Sequence, residues 1–585
     1  MNDQEKLEKI RHSFAHLLAA AVTQMYPRSL PATGPTTENG FFYDFAFESN
    51  IPTEEELEKI ENKMREILSS WEGFERIEVT PEEAREHFKD NKYKLELIDS
   101  FEDKGEKVSL YRSGSFIDLC RGGHVDDIND LVPEAFKLHA ISGAYWQSDE
   151  NNDQLVRISG FAFEAKESLA NYLEMREEAK KRDHRKLAKE LDLLVFSELI
   201  GPGLPIFTPK GNIVRSKIVE FSRELNAKIG FQEVHTPNMN KAELFKISGH
   251  YQKYEEDMFK VSSHYTDEEY YLKPMNCPQH TQLYASKKRS YRDLPIRIAD
   301  FSNLYRDEKP GELAGLTRLR FFSQDDGHVF CSEDQIEEEF NKILEVVQVA
   351  LKIYGLDYHI RLSLRDPENK EKYLGDDSLW ERSQSMLKDL LEQNGVDYVE
   401  APGEAAFYGP KMDIMAHDAL GREWQISTVQ LDFSMPERFD LTYVDNNGDE
   451  KRPVLIHRAI IGSPDRFMGI LLEHFAGKLP LWLSPVQISL VPVSEEQKDI
   501  THEIAEQIIK AGLRVDVLDE NDSLGKRIRN AKMERVPYIG VIGDRESKNN
   551  SISIESRDSG KLGEIKVDEL IDLLKQKNTS RDISV

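Results

Sequence analysis

Residues 301–330 read Phe301-Ser-Asn-Leu-Tyr305-Arg306-Asp-Glu308-Lys-Pro310-Gly-Glu-Leu-Ala-Gly-Leu316-Thr-Arg318-Leu-Arg-Phe-Phe-Ser-Gln324-Asp-Asp326-Gly-His328-Val-Phe330. Two runs with strand-like alternation flank a Gly/Pro loop from Lys309 to Leu316, which predicts a β-hairpin. Period-2 alternation places Gln324, Asp326 and His328 on one face. Arg306 and Arg318 sit at the loop end. Such a ribbon suits an anion at one end and a small polar ligand at the other; a surface hairpin with scattered charges is the alternative.

The rest of the chain sets bounds on that reading. Its 585 residues predict three to four domains. With 39% hydrophobic and 31% charged residues it has the balance of a globular protein with ample core. No apolar run is long enough for a membrane span. The opening Met-Asn-Asp-Gln-Glu-Lys carries no apolar signal region, so a cytoplasmic location is expected. Three cysteines, Cys120, Cys277 and Cys331, are too few for a disulfide framework and point to a reducing compartment. The net charge of −29 argues against generic nucleic-acid binding, which needs clustered Lys and Arg. Two basic runs qualify that, residues 180–189 and 526–535; each is either a local footprint or a solvated helix face.

Residues 5–26 predict a helix that sets His12 and His16 four apart on one face. Gly114–Val125 predicts a strand entering a glycine turn, with Cys120 and His124 again four apart. The four side chains make either a tetrahedral zinc set or a polar hydrolytic pocket. Residues 164–195 predict one long charged helix, as in an interdomain linker. Residues 212–229 and 332–353 predict amphipathic helices. Residues 411–433 predict a second hairpin. Val454–Gly462 predicts a strand, ended by Ser463-Pro464 as helix cap and first turn, which places Arg466 where an anion meets helix N–H groups. From Pro485, alternating strands and helices predict a small α/β domain.

Motif for motif, the chain resembles the bacterial-type threonyl-tRNA synthetases, class II aminoacyl-tRNA synthetases. Gly230–Pro237, Tyr305–Glu308 with Arg318, and Gly462–Phe467 resemble the three class II motifs. Lys273-Pro-Met275-Asn-Cys277-Pro, Gln324–His328, Tyr408-Gly-Pro-Lys411, Thr428–Phe433 and Ile456–Ile460 resemble motifs of the threonyl enzyme. His12–His16 and Cys120–His124 resemble its editing domain. Gln279 and Gly123 stand where that family usually has glycine and proline.

The resemblance implies an α+β multidomain fold: an α+β editing domain (1–163), the linker helix (164–195), a class II antiparallel sheet flanked by helices (196–484) and an α/β anticodon-binding domain (485–585). The small domain common ahead of the editing domain is expected to be absent. The implied activity joins threonine to tRNA(Thr) through an adenylate, with hydrolysis of mischarged seryl-tRNA(Thr). Another class II synthetase, or a non-catalytic RNA-binding regulator, is the alternative. Cys277, His328 and His457 match the ligands of one zinc per subunit. Arg306, Glu308, Arg318, Gln425 and Arg466 are implied to bind ATP with magnesium. Arg306, Arg466 and Lys411 are implied in catalysis, with His250 assisting transfer to tRNA. Met275, Gln324, Asp326, Tyr408, Gln430 and Ser463 would line the threonine pocket. His12, His16, Cys120 and His124 are implied in editing, Asn521 and Glu546 at the anticodon. A homodimer with no membrane association is implied.

Overall fold

The computed structural model describes residues 3–585, the side chain of Asp3 excepted. The chain divides into a unit ending at Glu177 and a unit spanning Glu178–Val585.

In the first unit, helix Asp3–Met25 buries Ile10, Phe14, Leu17, Leu18 and Val22. Their spacing gives the apolar stripe that docks on a sheet. That sheet runs Leu30–Pro31, Gly40–Ala46, Gln154–Ala162, Phe136–Tyr145, with Thr36–Thr37 also on Gly40–Ala46. Phe41, Tyr43 and Phe45 alternate into the same core. A second sheet, Glu75–Glu78, Ser109–Ser113 and Phe116–Leu119, leads directly into Cys120 and the glycine turn. Gly123 has φ +91° there, a conformation closed to proline.

The second unit is built on an eight-stranded sheet. Its order is Gln232–Glu233, Ile296–Asp300, Asp326–Cys331, Val454–Ala459, Glu423–Asp432, Lys411–His417, Asp357–Leu364, Tyr398–Pro402. The two edge pairings are parallel and the rest antiparallel. Helices Pro209–Lys228, Ile336–Tyr354 and Pro464–His474 cover one face and share a core with Val329, Leu362, Ile414, Val429 and Ile456. The other face holds the site described below.

The opening hairpin forms, but in two pieces. Ile296–Asp300 pairs with Asp326–Cys331 inside the large sheet. Beyond a break, Asn303–Tyr305 pairs with Phe321–Ser323 as a separate ribbon. The break holds Asp325, which turns into the core against Arg458 (Oδ1 to Nη1, 2.7 Å), Ser222 (2.6 Å) and Asn226 (3.1 Å). The alternation survives the break, so Gln324, Asp326 and His328 do share one face.

The helix expected over 164–195 is not continuous. Lys166–Arg182 stops, Asp183 caps a second helix His184–Glu190 by accepting from Arg185 N–H, and a short strand Leu194–Val195 follows. Helix Asp377–Gln393 and strand Tyr398–Pro402 were not legible from pattern. The C-terminal sheet runs Val515–Val517, Ile488–Pro492, Tyr538–Ile542, Ser551–Ser556, Gly560–Lys566. Its last two strands form an antiparallel hairpin beyond the expected α/β alternation.

Candidate active site and metal centre

On the open face of the large sheet lies a cavity of about 590 Å³. Arg306, Glu308, Arg318, Gln425, Ser463 and Arg466 line it together with Met275, Gln324, Asp326, Tyr408, Gln430, Cys277, His328 and His457. The two hairpins, strand Val454–Ala459 and the start of helix Pro464–His474 deliver most of them; Met275 and Cys277 come from the entry to helix Cys277–Ala285 and Tyr408 from the loop before Lys411. Ser463 caps that helix, accepting from Arg466 N–H at 3.3 Å. Lys411 is the exception. Its ammonium sits on Asp413 (2.8 Å), away from the lining.

The arginines differ in kind. Arg318 is tied to Glu308 (2.8 Å) and Glu312 (2.7 Å). Among the described residues, no side-chain hydrogen bond or ion pair is recorded for the guanidinium of Arg306 or of Arg466, and Arg466 Nε is buried without a partner. Burial pushes both pKa values down, the mark of a cation held without its anion. Phe322 lies beneath Arg306, 5.2 Å from ring centroid to guanidinium carbon. The cavity therefore has an anion-seeking end.

At its other end, donor atoms of Cys277, His328 and His457 lie within 4.8 Å of one another. His328 and His457 face each other directly across paired strands, with Nε2 to Nδ1 at 2.9 Å. Cys277 opens helix Cys277–Ala285, with proline at its first turn. Behind the set, His280 Nδ1 reaches His328 Nδ1 (2.7 Å) and Asp432 Oδ2 reaches His457 Nε2 (3.0 Å). Such outer partners orient metal-ligating imidazoles. Burial holds the Cys277 thiol well above its ordinary value, with Asp326 and Asp432 adding to the shift, and holds the His328 imidazole well below. Burial also raises the Asp326 carboxyl. One thiol and two imidazoles with carboxylates nearby are a donor set that suits zinc with an open position.

His280 and Asp432 carried no assigned role in the sequence. Their signal was position: His280 follows Cys277 by three on one helix face, and Asp432 shares a strand with Gln430. Near the substrate end, Tyr408 O–H donates to Gln430 Oε1 (2.5 Å). Gln425 Nε2 donates to Asp413 (2.8 Å). His250 is fully buried beside Phe407, its pKa lowered to about 3 mainly by burial, with Nε2 unpartnered.

In the first unit, His12, His16, Cys120 and His124 also converge within 4.8 Å. Cys120 Sγ lies 3.1 Å from His12 Nε2 and 3.4 Å from His124 Nε2. Ser13 Oγ meets His124 Nδ1 at 3.2 Å, and Phe74 stacks on that ring at 4.1 Å. Behind His16, Asp118 is held by Lys94 (2.5 Å) and Tyr43 O–H (2.5 Å). Burial raises the Cys120 thiol to about 11 and lowers His12, His16 and His124. The centre is thus a thiol-bearing pocket of three imidazoles held toward their neutral forms.

In the C-terminal part, Asn521 is exposed in a loop. Glu546 is engaged internally, accepting from Gly543 N–H (3.1 Å) and Ser553 O–H (2.8 Å). The basic run is only partly a footprint: Arg527 donates to the Pro492 and Leu518 carbonyls (2.9 Å each), and Lys532 pairs with Glu555 (2.6 Å).

A family model for the tRNA synthetase class II core domain (G, H, P, S and T) matches residues 259–475. An anticodon binding domain matches 487–577, and the threonyl and alanyl tRNA synthetase second additional domain matches 108–159. Sheet, cavity and these matches together define a class II aminoacyl-tRNA synthetase. The chain is 45% identical to a threonine–tRNA ligase of Synechocystis sp., covering 99% of this chain and 97% of the relative. Against those of Rubrobacter xylanophilus and Thermotoga maritima the identities are 47% (95% and 86% covered) and 43% (100% and 90% covered). It belongs to the threonine–tRNA ligase family. A solved structure titled as the RNA binding domain of threonyl-tRNA synthetase from Cryptosporidium parvum superposes with TM-score 0.65 at 37% identity, over 69% of this chain and 99% of that one. A prolyl-tRNA synthetase of the same organism, 18% identical with TM-score 0.52 over 68% of this chain and 76% of that one, shares the fold.

Proposed function

We infer that the chain attaches threonine to tRNA(Thr) at the expense of ATP and clears mischarged seryl-tRNA(Thr) by hydrolysis. The observation that carries the first activity is the pair of partnerless guanidiniums, Arg306 and Arg466, across one cavity from three metal-competent side chains.

Activation is attack of the threonine carboxylate on the α-phosphate of ATP, with pyrophosphate leaving. It needs no enzyme nucleophile; positioning and charge stabilisation do the work. Arg306 is the α-phosphate ligand and Arg466 a γ-phosphate ligand. Arg318 joins Arg466 by exchanging its carboxylates for phosphate, which frees Glu308 for the adenine amino group. Gln425 completes the ATP contacts, and magnesium accompanies the nucleotide, as in the class generally. Lys411, bound to Asp413, acts on Asp413 rather than on substrate.

Cys277, His328 and His457 would hold one zinc ion, whose open position would bind the amino and hydroxyl groups of threonine and so reject valine. Asp326 accepts the threonine hydroxyl; Met275, Gln324, Tyr408, Gln430 and Ser463 shape the pocket around it. Serine lacks only a methyl, worth about 1–3 kcal/mol of discrimination. A second, hydrolytic centre at His12, His16, Cys120 and His124 answers that leak.

Editing falls in 1–163, the linker in 164–195, catalysis in 196–484, and anticodon binding, with Asn521 and Glu546, in 485–585. A homodimer is supported by exposed apolar side chains at Val195, Phe196, Leu199, Ile200 and Ile206, with Leu199 99% exposed. No helix among the described residues is long and apolar enough to cross a membrane. Amino-acid-dependent pyrophosphate exchange tests the activity: threonine stimulates it and proline does not, and the reverse result overturns the reading.

A further inference from the structure

We propose that His359, His417 and Glu423 form a second transition-metal site on the catalytic sheet, separate from the Cys277, His328 and His457 set. The three residues come from three adjacent strands, Asp357–Leu364, Lys411–His417 and Glu423–Asp432. His417 pairs directly with Glu423, and His359 pairs with Met415, one alternation short of His417. Direct and diagonal neighbours on one face are the pairs whose side chains touch across a sheet. The intervening residues Ile360, Ile414 and Ala416 go into the helix-covered core. His359 and His417 are thereby fixed to the opposite face.

The donor atoms already converge. All three lie within 4.8 Å of one another. His359 Nδ1 is 3.1 Å from His417 Nε2 and 4.0 Å from Glu423 Oε1. Two nitrogens on one tetrahedral zinc, each at about 2.0–2.1 Å, stand roughly 3.3–3.4 Å apart. The imidazole pair therefore needs only a small opening to bind. Glu423 is half-exposed and free to rotate inward, and among the described residues no lysine or arginine pairs with it. A register shift between Ile414 and Met415, at the approach to His417, is the kind of bulge that re-aims a side chain.

Two imidazoles and one carboxylate select a borderline divalent ion such as Zn²⁺, Co²⁺ or Ni²⁺ over Mg²⁺ or Ca²⁺, which prefer oxygen. Three protein ligands leave a position for water. Because each ligand sits on a different strand, the ion would cross-link the outer half of the sheet on which Gln425 and Asp413 also lie. None of the three residues lines the ATP and threonine cavity.

The test uses Zn²⁺ itself on the full-length protein. Crystals of the unmutated chain soaked in Zn²⁺ are expected to give an anomalous peak about 2.0–2.2 Å from His359 Nδ1, His417 Nε2 and a Glu423 oxygen. In solution, the Cys277→Ser chain at micromolar free Zn²⁺ is expected to lose one further zinc per chain when His359→Gln and His417→Gln are added. An anomalous map with no peak there, or an unchanged zinc count in the triple variant, overturns the proposal. The soak does not depend on the variants folding, and neither measurement depends on threonine activation.

Discussion

His184 Nδ1 lies 2.6 Å from Glu473 Oε1 while its Nε2 accepts the Leu316 N–H at 2.9 Å. One buried imidazole thus joins the helix His184–Glu190, the end of helix Pro464–His474 and the loop Lys309–Leu316. The fit is close: Gly315 has φ +53°, and a Cβ there would meet His184 Nε2 at 2.2 Å. In His184→Ala the Leu316 N–H is left buried and unpaired, a cost of about 1–3 kcal/mol. Because Leu316 lines the ATP end of the cavity, the cost falls on nucleotide binding. The expected result in pyrophosphate exchange is a KM for ATP raised roughly tenfold, at about 1.4 kcal/mol per tenfold. The KM for threonine should move far less; equal shifts in both would point to general loosening instead.

The same pair makes an acid-sensitive joint. Burial alone would raise the Glu473 carboxyl, but the two hydrogen bonds from His184 and the nearby Arg422 charge together outweigh it and the net shift is below the ordinary 4.5. A carboxylate depressed in the folded state stabilises above its unfolded value and loses that contribution as pH falls through the folded one. Glu473→Gln should therefore be less stable than the parent near neutral pH, and the gap should narrow as pH falls below the ordinary 4.5 and through the depressed folded value. Urea midpoints measured across that range check it; a gap independent of pH removes the assignment.

Arg306 has the simplest test of the ATP reading. Among the described residues its guanidinium makes no hydrogen bond or ion pair, so truncation gives up only its contact with Phe322 and should change stability little. Loss of one preorganised charge-stabilising donor costs about 10²–10³ in rate. Arg306→Ala is expected to show that loss in adenylate formation, and Arg306→Lys to recover little, since a point charge does not replace a planar fork. A variant active within a few-fold of the parent would falsify the phosphate role.

Much of this was readable from residues alone, for physical reasons. The alternation Gln324, Asp326, His328 is a period-2 pattern, and a sheet turns it into one face even across a break. Ser463-Pro464 marked its helix because caps are local chemistry. Long-range partners were not readable that way: His328 and His457 meet through sheet register, Cys277 joins them from a helix, and only family likeness named the three. His184 was hidden in what looked like one solvated linker helix. Nothing local distinguishes a histidine that ties a distant helix and loop together from one that faces water. Lys411 shows the converse, a lysine beside the site whose charge is spent on Asp413 two residues away. The basic run at 526–535 misled in part, because charge counts do not reveal that Arg527 points inward to two carbonyls.

Cys277→Ser should lower both zinc content and threonine activation. Asp432→Asn offers the sharper test, because Asp432 contacts His457 and not the cavity. Changes to such outer partners cost about 10–100-fold in metal affinity. The expected phenotype is a protein that loses zinc to a chelator faster than the parent and regains threonine activation when zinc is restored. Zinc retention equal to the parent in both variants removes the ligand assignment.

In the first unit, His12 is the half-buried member of its cluster and the one nearest Cys120, at 3.1 Å. Burial keeps the Cys120 thiol protonated up to about 11, so at neutral pH it is no ready nucleophile. Burial likewise lowers the neighbouring His12 and His124 imidazoles and so favours their neutral forms. His12→Ala should therefore leave threonine activation intact while seryl-tRNA(Thr) persists. Cys120→Ser, which keeps a polar group in place, should retain more deacylation than Cys120→Ala. Deacylation of pre-formed seryl-tRNA(Thr) by each variant measures both. If His12→Ala hydrolyses it as fast as the parent, the pocket at His12, His16, Cys120 and His124 is not the editing centre. If iodoacetamide labels Cys120 readily at pH 7, the thiol is more acidic than its burial dictates, and a covalent route through it comes back into play.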